Sequence, residues 1–201
     1  MKNQTTGKRQ LNKKQSREAI LKASRRLFSS VGYENVKMED IAEKAKVSRA
    51  TLYNYFPAKE SLLTGTLDAV CSQIREEAES ARQSGKPAET VLFDTFHTLV
   101  NFTMKYPALT RRISYLNTLE NSSLYQCLQP VYDQITELID QAIADGSYRK
   151  TVPAGSIFET LLGIYYVILN HWNYSYPEDS EIISKKLGSK YDFHLKPYRP
   201  E

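Results

Sequence analysis

The run Val47-Ser48-Arg49-Ala50-Thr51-Leu52-Tyr53-Asn54-Tyr55-Phe56 puts a guanidinium, an amide, two aliphatic hydroxyls and two phenols within ten residues. These are hydrogen-bonding groups that suit base edges and phosphate oxygens. On a helical wheel Ser48, Leu52 and Phe56 share one face, with Leu52 and Phe56 as its apolar anchors. Ala50, Thr51, Tyr53 and Asn54 point away from that face, and Arg49 stands at its edge. An arginine can bond guanine bidentately, which is worth about 1–3 kcal/mol of discrimination. Thr51 can offer its methyl to thymine. Tyr53, Tyr55 and Lys59 can donate to phosphates, which positions a helix without reading sequence. A packing role competes for each aromatic and is the preferred reading of Phe56. A surface role is preferred for Tyr53, and a merely solvated Arg49 stays open.

These groups need short helices to hold them. Ser16 suits an N-cap, and Ile20, Ala23, Leu27 and Phe28 recur at helical spacing up to Gly32. A second helix is predicted over Met38–Ala45, with Lys46-Val47 as a turn. Ser48 then caps a third helix that Pro57 stops. Two short helices joined by a tight turn make a helix-turn-helix, whose second helix enters a major groove. A long helix is predicted over 58–82, and Gly65 within it marks close packing or a weak point. Ser84-Gly85-Lys86-Pro87 reads as a junction. Further helices are predicted over 88–105, 107–113, 122–144, 157–172 and 178–187, with a break at Tyr176-Pro177. No segment alternates with the period of a strand, so the fold class is all-α.

Charge supports the division. Residues 1–63 carry 14 Lys and Arg against 6 Asp and Glu, a net +8, while the remainder nets −4. The total of +4 is therefore a cancellation, and the excess on the first part suits a polyanion or a solvated basic face. Seventeen of the 22 aromatic residues lie beyond residue 89, which marks a different second part. The longest apolar run, Ile164–Leu169, is far short of the ~20 residues that span a bilayer, so no membrane partner is expected. No signal peptide is read at the N-terminus. Cys71 and Cys127 alone support neither a disulfide framework nor a thiolate metal site. His97 and His171 are isolated. No catalytic set, metal site or cofactor is expected.

Residues 16–63 resemble the DNA-binding domain of the TetR family of bacterial regulators. The resemblance rests on Ala19-Ile20-Leu21, Leu27-Phe28, Gly32-Tyr33, Asp40-Ile41-Ala42, the run Val47–Phe56, Lys59-Glu60 and Leu63. It implies a basic arm (1–15), a DNA-binding domain (16–63) and a helical effector-binding and dimerisation domain (64–201), in a cytoplasmic bacterial protein associated with the nucleoid when DNA-bound. It implies DNA contacts by Ser48, Arg49, Ala50, Thr51, Tyr53, Asn54, Tyr55 and Lys59. Where the family usually has Thr or Ser before the second helix, this chain has Val36-Lys37. Lys37 can still meet a phosphate, but a side-chain cap is missing from that place.

The second part then has two tasks. Two recognition helices in successive major grooves sit about 34–36 Å apart, so a dimer must hold them there. Phe158, Leu161, Leu162, Leu169 and Trp172 form a stripe that suits a dimer bundle or an ordinary buried helix. Phe96, Phe102, Tyr106, Tyr115, Tyr125, Tyr132 and Tyr165 are candidates for an apolar ligand cavity, with core packing as the alternative. The expected function is a regulator, most readily a repressor, that binds a palindromic operator as a homodimer. A small, largely apolar effector is expected to release it. A DNA-binding protein without an effector is the rival reading, and an enzyme with a basic extension is a more distant one.

Overall fold

The computed structural model of the chain describes residues 2–118, 122–172 and 180–201, with side chains for 11–118, 122, 124–171 and 181–201. The helices are α1 (Lys2–Ser30), α2 (Met38–Ala45), α3 (Arg49–Tyr55), α4 (Lys59–Gln83), α5 (Ala88–Lys105), α6 (Pro107–Asn117), α7 (Ser123–Ala144), α8 (Ala154–Val167) and α9 (Ser180–Leu195). A π-helical turn, Ile168–Trp172, continues α8, and a 3₁₀ turn, Lys196–Tyr198, follows α9. No strand occurs among the described residues. The predicted break at Tyr176-Pro177 lies outside them.

Three helix boundaries differ from expectation. The first helix begins at Lys2, not Ser16, so the segment read as an arm is the opening half of α1. Its Lys, Arg, Gln and Leu residues are good helix formers, and Ser16 simply sits in the helix interior. α6 runs one turn beyond Ile113, to Asn117. The last helix runs two turns past Leu187. Ile183, Leu187, Tyr191 and Leu195 are all buried at intervals of four, and this stripe carries the helix across Gly188.

The apolar core forms two clusters. One joins α1, α2 and α3 to the start of α4, and takes in Leu109 and Ile113 of α6 and Leu124 of α7. The other packs the rest of α4 and α7 with α5, α8 and α9. α4 contributes Leu62, Leu63 and Leu67 to the first and Cys71 and Ala78 to the second. It is therefore one rigid rod anchored at both ends. The last residues close the second cluster: the Arg199 guanidinium meets Glu89 of α5, and Tyr198 pairs through its hydroxyl with Thr160 of α8 at 2.8 Å.

Gly65 is the tightest point of the first cluster. A Cβ there would lie 2.7 Å from Cε1 of Phe56 and 3.2 Å from Cδ2 of Leu21. Both neighbours are buried, and the Phe56 ring has no free end to swing aside. The Gly65→Ala substitution should thus lose more to overpacking, about 1–3 kcal/mol, than the ~1 kcal/mol it gains in helix propensity. Urea unfolding should show net destabilisation. Gly155→Ala, where the added methyl meets open space, should be neutral or stabilising in the same assay.

Candidate nucleic-acid interface and effector cavity

The turn between α2 and α3 is made by Lys46, whose φ of 56° closes α2 in the left-handed conformation. The Val47 N–H returns to the Ala42 carbonyl at 3.0 Å. Ser48 then caps α3: its Oγ accepts from the Thr51 N–H at 3.1 Å and lies 2.8 Å from Thr51 Oγ1. Such a cap is worth about 1 kcal/mol. Leu52 and Phe56 are buried beneath α3. Arg49, Ala50, Tyr53 and Asn54 are exposed, while Thr51 and Tyr55 are half-buried. The Arg49 side chain is 73% exposed, and its 3.9 Å pairing with Glu39 is a weak tie.

Two lysines behave differently. Lys37 is exposed at the entry to α2. The cap missing from its side chain is replaced from within the helix, because the Asp40 carboxylate accepts the Lys37 N–H at 2.9 Å. Lys59 is drawn inward. Its ammonium donates to the carbonyls of Tyr33, Glu34 and Val36 at 2.7, 3.3 and 3.1 Å, and stands 4.6 Å from the centre of the Tyr33 ring. It binds the α1–α2 loop to the start of α4. From the other side, Arg112 of α6 stacks 5.1 Å from the Tyr33 centroid and pairs with Glu34. Burial, reinforced by Glu60, pushes the Tyr33 phenol up to about 12.

A cavity of about 80 Å³ opens between the two core clusters. α4, α5, α6, α7 and α8 all contribute to its wall, which carries no charged side chain. Phe96, Phe102, Tyr132 and Tyr165 line it, as do two residues read as dimer contacts, Phe158 and Leu162. Leu161 reaches the wall too. With Leu169 it is only 2% and 1% exposed within one copy, so both are core residues rather than free interface groups. The apolar stripe was read correctly as buried, but it faces the cavity and core of its own subunit. The side chain of Trp172 lies outside the described residues. Three proposed ligand residues are elsewhere. Tyr115 and Tyr125 are 58% and 54% exposed, and Tyr106 borders a separate polar groove beside Arg25, 6.0 Å from its ring.

Sequence reasoning missed the share of α4 and α6 in the cavity. Thr110, Ser114 and Asn117 stand at intervals of four and three along α6 and make one polar edge of the wall. That spacing was a usable signal. Burial pushes the Tyr132 phenol up, and that of Tyr165 to about 12 although Thr103 partners its hydroxyl at 2.9 Å. Among the described residues no group of His, Cys, Asp and Glu side chains is placed to hold a metal ion.

The sequence pattern of bacterial regulatory proteins of the tetR family matches residues 20–65, which span α2, α3 and their anchoring neighbours. The chain belongs to the TetR family. It is accordingly a DNA-binding transcriptional regulator. This TetR-family chain is 23% identical over 177 residues to the uncharacterized HTH-type transcriptional regulator YhgD of Bacillus subtilis, covering 85% of this chain and 92% of YhgD. In fold it is similar to the fatty acid degradation regulator FadR of Bacillus halodurans, with a TM-score of 0.75, 15% identity, and 90% and 99% of the two chains covered. It also resembles the Thermus thermophilus repressor FadR, determined in complex with lauroyl-CoA, with a TM-score of 0.63, 23% identity, and coverage of 92% and 96%. No described helix of this regulator is long and apolar enough to cross a membrane.

The raised phenols of Tyr33 and Tyr165 set an alkaline limit. A tyrosine that holds its proton more tightly when folded contributes stability below its unfolded value of 10.0, and that contribution is lost as pH rises toward about 12. The urea midpoint of this TetR-family protein should therefore begin to fall above about pH 10 on this account. Tyr33→Phe and Tyr165→Phe should each remove one late-titrating group from the tyrosinate absorbance curve.

Proposed function

We propose that the chain is a homodimeric repressor that reads a palindromic operator with α3 and is released by a small, largely apolar effector. The observation that carries the DNA reading is the division of α3. Leu52 and Phe56 lock it to the core, while Arg49, Ala50, Tyr53 and Asn54 stand in solvent on its outer side. Arg49 is the base-reading group, with Thr51 beside it. Tyr53, Tyr55 and Lys37 hold phosphates, and Ser48 sets the helix start. Lys59, matched by resemblance to a phosphate contact, serves here as the tie that shapes the α1–α2 loop, because its donors are directed at three carbonyls.

Dimerisation is assigned to the outer faces of α8 and α9. Val167 and Phe193 are exposed there, whereas Leu161 and Leu169 are already covered. The effector reading is supported by an uncharged, mostly apolar wall and by the fatty-acyl ligand named for the Thermus thermophilus relative. The present cavity is smaller than the ~300–1,000 Å³ typical of ligand sites, so an occupant must spread its walls. α4 and α6 are two of those walls, and both run into the DNA-binding cluster. A ligand that favours the spread form shifts the population away from the DNA-competent one by its difference in affinity for the two.

Footprinting across the DNA flanking the protein's own gene should reveal a two-fold symmetric site. Arg49→Ala should relax discrimination at one base position in each half-site, by about 1–3 kcal/mol. Tyr53→Phe should weaken binding to all sites alike. Full operator selectivity in Arg49→Ala would reject the role given to Arg49. An effector that saturates the free protein yet leaves its operator affinity unchanged would reject the release mechanism.

A further inference from the structure

The cavity wall contains a polar group that the fold leaves unused. Oδ1 of Asn117, at the end of α6, is buried and has no hydrogen-bond partner among the described residues. Other polar groups of the wall are engaged. The Tyr165 hydroxyl pairs with Thr103 Oγ1 at 2.9 Å, and Thr110 Oγ1 donates to the Tyr106 carbonyl at 2.9 Å. Cys71 Sγ donates to the Cys127 carbonyl at 3.4 Å. Buried acceptors in folded proteins are almost always satisfied, and an exception calls for a physical reason.

We infer that Asn117 is the group that orients the effector, and that the effector is a neutral apolar molecule carrying a hydrogen-bond donor. This rests on the cavity being the effector site. The lining sets the class. With no charged side chain in the wall, a carboxylate or ammonium would lose its hydration without finding a counter-charge. Apolar side chains from α4, α5, α7 and α8 accept a hydrocarbon body. A hydroxyl or amide N–H completes the pattern by donating to Oδ1, whereas an ether or ester oxygen would set acceptor against acceptor. Ligands of equal size and polarity are thus separated by whether they donate.

The test uses isomers. Calorimetric titration of the full chain with n-octanol and with heptyl methyl ether compares a donor with a pure acceptor of the same composition. The alcohol is expected to bind about tenfold more tightly, and octanoate at neutral pH more weakly than the alcohol. Asn117→Leu should bring alcohol and ether to similar affinity. Asn117→Ala provides the same comparison with less bulk, and circular dichroism reports on folding. Equal affinity for the two isomers in the unaltered protein would overturn the inference, as would a preference for the alcohol that survives in a folded Asn117 variant. If neither isomer binds, the reading of the cavity as an apolar effector site fails, and this inference fails with it.

Discussion

Much of this molecule depends on a ring that occupies the space of a missing Cβ. Phe56 closes the recognition helix and packs directly against Gly65, one turn into α4. Because Gly65 has no side chain, helix and rod approach until aromatic and backbone touch. The direction of α3 is therefore set by α4 rather than by the turn that precedes it. Leu21 meets the same point from α1, so three helices share one contact. Close-packed interiors transmit displacement instead of absorbing it. A rotation of α4 must consequently carry α3 along.

A second linkage runs parallel to the first. Tyr33 lies between two cations, Lys59 from α4 and Arg112 from α6. Cation–π contacts of this kind contribute about 0.5–2 kcal/mol each, depending on desolvation. The arrangement makes the α1–α2 loop answer to both helices that border the cavity. Arg112 also holds Glu34. The head is thereby attached to the body by one apolar and one charged connection, on different sides of α1.

The helices were legible because their signals are local. Ser48, Pro57 and the 84–87 breaker stand where capping and ring geometry require, and α3 and α5 fall where periodicity puts them. The boundaries that differed were decided by distant partners. Tyr191 and Leu195 extend α9 because they find a core built from α5 and α8, a fact with no trace within their own turn. The site divides in the same way. The outer face of α3 could be read from a helical wheel, since Leu52 and Phe56 identify the inner one. Tyr115 and Tyr132 could not be told apart by residue type: one projects into solvent, the other into the cavity. Lys59 was misjudged because its partners lie 23 to 26 residues earlier in the chain.

The C-terminal turn bears on how the protein is made. The second core cluster is closed by Leu195, and Arg199 reaches back across 110 residues to Glu89. Every residue of the first cluster lies at or before Leu124. On a ribosome the DNA-reading half can therefore settle while the body still lacks α8 and α9. Contacts so distant in sequence form slowly, since a long loop must close first. The regulated form is thus the later product of synthesis, and the last few residues decide when it is complete.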